Sequence, residues 1–177
     1  MKKLLLLFSC LSVFSANSQN GFTTYTTNLS LTGTVMRQTS FVVDNSGNKW
    51  VGFKSPIVSG NNAGLVKYDN NTWTLYNTTS TPALPANAIN ALASDNNGNI
   101  WIGSPSGLIK FDGTSFTNYN VANGKLPYDT ITCIKVENSN VIWLGSRNNL
   151  TEFDIDNTFT TTSYSVNSTV IDAGVLN

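Results

Sequence analysis

The chain has 177 residues, with 10 basic and 10 acidic side chains, no histidine, and 11% charged against 40% hydrophobic residues. A neutral chain without a basic stretch lacks the electrostatic footprint of a nucleic-acid binder, so no nucleic acid is expected as a partner. The lack of histidine removes His-dependent triads and His metal sites.

Met1-Lys2-Lys3, the apolar run from Leu4 to Phe14 and the small residues Ser15, Ala16 and Ser18 read as a secretory signal peptide over residues 1–18. The apolar run is shorter than the about 20 residues a spanning helix needs, so no membrane span is expected. Export leaves Cys133 as the only cysteine, with no partner for an intrachain disulfide. Its place in the predicted strand 132–136 reads as a small buried hydrophobe.

The remainder, 19–177, is a succession of short strand signals. Phe22-Thr23-Thr24-Tyr25 looks like Trp73-Thr74-Leu75-Tyr76 and Phe116-Thr117-Asn118-Tyr119 further on, so it reads as an outermost strand without a sheet of its own. A first full unit follows at 39–77, with the turn Asp44 to Asn48, then Trp50-Val51-Gly52, Gly64 to Asp69 and Thr72 to Asn77. The second, at 88–120, is the most regular. Its predicted strands run from Ile89 to Ser94, Ile100 to Gly103, Leu108 to Phe111 and Ser115 to Tyr119, separated by turns built on Asp95 to Asn99 and Asp112-Gly113-Thr114. Ile100, Trp101 and Ile102 are consecutive and apolar, which suits a strand covered on both faces. A third unit at 130–164 runs through Glu137-Asn138, Ile142 to Gly145, Asn149 to Asp154 and Phe159 onward. In it Asn149 stands where the others have Gly64 and Gly107, which predicts φ > 0 at this position. Ser168 to Leu176 reads as one more innermost strand.

Trp50, Trp101 and Trp143 recur at intervals of about 51 and about 42 residues, the period of propeller blades. The expected fold is therefore all-β: an incomplete β-propeller of about three four-stranded blades plus the stray terminal strands 22–25 and 168–176. Closed rings have about four to eight blades, so missing blades are expected from a longer parent chain or from self-association.

These copies resemble the bacterial two-component regulator propeller repeat, whose pattern is roughly D-x-x-G-N-x-W-x-G-T-x-x-G-L-x-x-F/Y-D. The middle copy matches almost throughout. The first matches at Asp44, Gly47, Asn48, Trp50, Gly52, Gly64, Leu65 and Tyr68; the third lacks the turn glycine and has Asn149. The resemblance implies a module similar to the extracytoplasmic sensor halves of hybrid two-component regulators, periplasmic or secreted, whose blades are associated with detecting glycan fragments.

The repeated residues read first as scaffold. Trp50, Trp101 and Trp143 occupy one strand position per blade and suit inter-blade packing. Gly52, Gly103 and Gly145 suit close backbone approach, and Asp44 and Asp95 suit carboxylates that accept N–H bonds within their own turns. Single carboxylates flanked by asparagines are thin for calcium, which wants about 6 to 8 oxygens, and no metal or cofactor is expected. Catalysis finds little support: Arg37 and Arg147 are too few for a sialidase-like arginine cluster, and acid pairs such as Glu152 with Asp154 are residues two apart on one strand face. Propeller topology puts the loops 54–63, 77–88, 104–106, 120–130 and 146–148 on one rim. There Lys54, Asn61, Asn62, Lys125, Tyr128, Arg147 and Asn148 are the candidate ligand-binding residues, suited to an oligosaccharide or a protein ligand. The alternative is a secreted or surface scaffold whose loops serve protein interaction.

Overall fold

Asp/Asn/Gly turns between β-branched and aromatic runs divide the chain into fourteen strands and, among the described residues, no helix. The computed structural model describes residues 17–19, 22–24, 37–54, 64–80, 82–138, 140–155 and 161–165. A short hairpin comes first, β1 (Asn17–Gln19) with β2 (Phe22–Thr24). Blade one is β3 (Arg37–Val43), β4 (Lys49–Lys54), β5 (Leu65–Tyr68) and β6 (Trp73–Tyr76). Blade two is β7 (Ala91–Ser94), β8 (Ile100–Ser104), β9 (Gly107–Phe111) and β10 (Phe116–Tyr119). Blade three is β11 (Cys133–Val136), β12 (Val141–Ser146), β13 (Asn149–Asp154) and β14 (Thr161–Ser165).

Each blade is a four-stranded antiparallel meander whose strands pair in chain order. The first strands β3, β7 and β11 of successive blades lie side by side. This is the stacking of a β-propeller, and the described blades form an open arc. Phe22–Thr24 lies in no blade and pairs instead with Asn17–Gln19, a stretch that includes the last two residues of the expected leader. Residues 1–16 and the predicted inner strand 168–176 lie outside the described residues.

Register assigns every side chain a face. In blade two, the rows Ala93–Trp101–Lys110–Thr117 and Ala91–Gly103–Leu108–Tyr119 share the face toward blade three, here the trailing face. The rows Leu92–Ile102–Ile109–Asn118 and Ser94–Ile100–Phe111–Phe116 form the leading face, toward blade one. The core is accordingly two sandwiches. In the first, Trp50 and Leu65 of blade one meet Leu92, Ile100, Ile102, Ile109 and Phe111 of blade two. In the second, Trp101, Leu108 and Tyr119 of blade two meet Ile142, Leu144 and Phe153 of blade three. Blade two is covered on both faces, so β8 is buried along its whole length, which accounts for the unbroken Ile-Trp-Ile run.

The central blade's first strand begins at Ala91 instead of Ile89 because Ile89 belongs to the seam between blades. Its N–H donates to the carbonyl of Phe53 at 3.1 Å, and Ile131 repeats this with Ser104 at 3.0 Å. A Cβ on Gly52 would stand 2.5 Å from Cγ2 of Ile89, and one on Gly103 would stand 2.9 Å from Cγ2 of Ile131. At these two places the absence of a side chain lets the next blade close.

Two expectations are corrected in blade three. Cys133 is exposed, because it belongs to the trailing row Cys133–Gly145–Leu150–Tyr164, and no described blade packs on that face. Asn149 is not in the positive-φ region, where Asn70 is the single non-glycine among the described residues. Gly64 and Gly107 have φ of 154° and 126°, and a Cβ there would run into the carbonyl oxygens of Tyr76 and Tyr119 at 2.2 and 2.3 Å. In blade three the ladder continues instead, Asn149 pairing with Ser165, so the backbone stays extended and tolerates a side chain.

Candidate functional site

The two ends of the blades are built differently. At the end that carries the β7–β8 and β9–β10 turns, five acidic side chains, Asp44, Asp69, Asp95, Asp112 and Glu137, are bonded to groups in or beside their own turns. Oδ1 of Asp95 accepts the N–H groups of Asn97 and Asn99, each at 2.9 Å; Oδ2 accepts from the Asn99 side chain at 2.7 Å and from Nε1 of Trp101 at 2.8 Å. Asp44 does the same with Ser46, Asn48 and Trp50. In blade three Oε2 of Glu137 reaches Nε1 of Trp143 at 2.5 Å, the longer side chain spanning from a turn that lacks the D-x-x-G-N pattern. Asp69 and Asp112 knit the outer turns through Thr72 and through Thr114 and Ser115. These carboxylates hold the turns together.

The opposite rim carries the β8–β9 and β12–β13 hairpins and the long connections between blades. The connections are ordered by a device that strand patterning overlooks. Leu84-Pro85-Ala86-Asn87-Ala88-Ile89 and Leu126-Pro127-Tyr128-Asp129-Thr130-Ile131 are two copies of one motif. Leu84 and Leu126 are buried plugs, one in each inter-blade core. Oδ1 of Asn87 accepts the N–H of Thr78 at 2.8 Å, and Oδ1 of Asp129 accepts that of Val121 at 2.7 Å. The sequence signal was the repeated Leu-Pro-x-Asn/Asp-x-Ile, hidden inside stretches read as plain loops.

Where connection 120–132 meets the β12–β13 hairpin, a depression of about 350 Å³ opens. Val121, Pro127, Tyr128, Asp129, Thr130, Ser146, Arg147 and Asn149 line it. Tyr128 is 41% exposed and Val121 47%, so an aromatic and an aliphatic surface face outward beside the Arg147 guanidinium. Of the residues singled out in the sequence, the depression brings together Tyr128 and Arg147. Asn148 is exposed at the adjoining hairpin tip. Lys125 is half-buried, and its N–H donates to Asn120. Lys54 lies apart, its Nζ donating to Oδ1 of Asn90 at 3.2 Å, and Asn61 and Asn62 fall outside the described residues. Val121, Asp129 and Ser146 were not singled out.

Fold and rim define a set of β-propeller blades. Residues 83–106 match the family model described as two component regulator propeller, so the chain carries this repeat. The match runs from just before the Leu84 plug to the β8–β9 hairpin. No curated protein sequence matches the chain. Among solved structures, the chain is similar to the extracellular domain of BT4673 from B. thetaiotaomicron, assigned as a one-component system. The TM-score is 0.54 at 15% identity, over 72% of this chain and 17% of that one. It is also similar to a streptogramin B lyase, with a TM-score of 0.53 at 18% identity over 73% of this chain and 40% of the lyase. The chain thus spans well under half the length of either neighbour, and the likeness is one of fold.

Proposed function

We propose that this chain is a non-catalytic, exported recognition module similar to the sensor propellers of two-component regulators, taking an oligosaccharide on its loop rim. The observation that carries the reading is the convergence of Tyr128 and Arg147 on one open depression. A tyrosine face stacks on the apolar face of a sugar ring, and a guanidinium presents a planar fork of donors to its oxygens. Export rests on the N-terminal Lys-Lys and apolar run. The repeat matched at 83–106, and the fold shared with an extracellular domain, support the sensor class. Against an enzyme of the lyase type stands a sequence without a histidine to serve as acid or base.

Calorimetric titration of the purified chain against a panel of neutral and acidic oligosaccharides tests this. Binding is expected for at least one, weakened about tenfold by Tyr128→Ala or Arg147→Ala and unchanged by Lys54→Ala. No binding across the panel, or binding indifferent to both rim substitutions, would overturn the reading.

A further inference from the structure

The rim carries one construction twice, once at each seam between blades, and the two copies differ in what they leave unspent. The connections from Leu84 to Ile89 and from Leu126 to Ile131 correspond residue by residue, and the hairpin tips correspond because Ser104 pairs with Gly107 as Ser146 pairs with Asn149. At the first seam the polar groups close on one another. The Asn87 amide is spent on Thr78, Oδ1 accepting its N–H at 2.8 Å and Nδ2 donating to its hydroxyl at 3.0 Å. Oγ of Ser104 donates to the Gly107 carbonyl and accepts the N–H of Ser106, each at 3.0 Å, around an uncharged Pro105. Ala86 and Ala88 add only methyl groups.

At the second seam the same positions carry chemistry. Tyr128 stands in the place of Ala86, Thr130 in that of Ala88 and Arg147 in that of Pro105, and all three line the depression. Asp129 keeps the structural bond of Asn87, its Oδ1 accepting the N–H of Val121 at 2.7 Å, but it has a second oxygen where Asn87 has a donor. Among the described residues nothing donates to that oxygen, and Arg147 is exposed with no hydrogen bond or ion pair to its guanidinium. Ser146 makes neither of the bonds that tie Ser104 into its hairpin, and its Oγ has no partner. The first copy is closed, and the second holds one free cation and one half-used anion in the same concavity.

We propose that the oligosaccharide taken here is acidic, with a hexuronate unit seated in the depression, an assignment that rests on the recognition function proposed above. The sugar carboxylate meets the Arg147 guanidinium, whose planar fork matches two carboxylate oxygens through charge-assisted hydrogen bonds. Ring hydroxyls donate to the free oxygen of Asp129, and the apolar ring face lies on Tyr128. One cation and one anion in the lining suit a ligand that combines a single negative charge with hydroxyl donors. A neutral sugar leaves the guanidinium without a counter-charge, and a densely sulfated one sets its charges against Asp129.

Calorimetric titration of the purified chain with galacturonate, glucuronate and mannuronate oligosaccharides, each beside its carboxyl-reduced neutral counterpart, tests this. At least one acidic oligosaccharide is expected to bind about tenfold or more tightly than its reduced counterpart. Arg147→Ala is expected to bring that ratio close to one, and Arg147→Lys, which keeps the charge without the fork, to retain part of it. Asp129→Asn preserves the acceptor for Val121 and is expected to raise the ratio, because it removes the charge that opposes the sugar carboxylate. Tyr128→Ala is expected to weaken both members of a pair alike and leave the ratio where it was. Circular dichroism checks that each variant is folded. A reduced oligosaccharide that binds as tightly as its acid, or a ratio unmoved by Arg147→Ala, would overturn the acidic assignment. If neutral oligosaccharides bind and no uronate does, that assignment alone falls; if nothing binds, the recognition function falls with it.

Discussion

A single buried carboxylate shows how the repeat works. Asp95 is 3% exposed, and its two oxygens tie the Asn97–Asn99 backbone to the indole of a fully buried Trp101. Asp95→Ala leaves Nε1 of Trp101 buried without its acceptor, and is expected to cost about 1–3 kcal/mol in denaturant unfolding. Trp101→Ala removes about 200 Å² of buried surface and leaves a cavity, at an expected cost of about 3–5 kcal/mol. Unchanged unfolding of the Trp101 variant would show that the indole is not core. The exposed turn acids give a pH signature. Backbone N–H groups of Ser115 and Thr114, then their hydroxyls, hold the Asp112 carboxyl well below its ordinary 3.8; Asp69 is lowered by Thr72 in the same way. At Asp44 partial burial opposes the charge, but hydrogen bonds from Trp50, Asn48 and Ser46 together outweigh it. A depressed folded pKa means stability that is present at neutral pH and lost as pH falls below 3.8 through the lower folded value. The melting temperature should thus drop on acidification below about pH 4, and less steeply in Asp112→Ala.

At the scale of elements, the seam between blades sets the tightest tolerance. Gly103 sits where a Cβ would meet the side chain and carbonyl of Ile131 at 2.9 to 3.3 Å. Gly103→Ala must push the lead-in to β11 away from β8, and is expected to cost about 1–3 kcal/mol by thermal unfolding. Gly98→Ala meets no atom within 4 Å but has φ of +83°, so its smaller loss of about 1 kcal/mol is purely conformational. Strands and turns were legible in the sequence because their causes are local: aspartate and glycine at fixed offsets, and a tryptophan at each β-blade's second strand. The connections were not. Leu84 and Leu126 are single apolar residues inside polar stretches, so no periodicity marks them, and their burial follows only from the wedge between two blades. Asn149 misled for the related reason that a glycine's replacement reports φ only if the neighbouring strand keeps its course, and β14 extends to pair with it. The depression was half legible. Tyr128 and Arg147 stand out as chemistry, whereas Val121 and Ser146 join them only through the packing of two loops against each other.

For the whole molecule, what a residue contributes depends on where its blade stands in the arc. Leu65, Leu108 and Leu150 occupy one position in three blades, yet the first two are 0% exposed and the third 41%. The same contrast separates Tyr119, 8% exposed, from Tyr164, 49% exposed. A repeat sequence thus specifies a sticky face, and only the presence of the next blade turns it into a core. Leu108→Ala is expected to cost about 2–5 kcal/mol, because its methyl groups leave a void between Trp101 and Phe153 that two sheets cannot collapse to fill. Leu150→Ala, measured on dilute chain so that association does not enter, is expected to cost less than about 1 kcal/mol. Urea unfolding of the two variants side by side gives the comparison. Equal and large losses would mean that the trailing face of blade three is already closed within one chain.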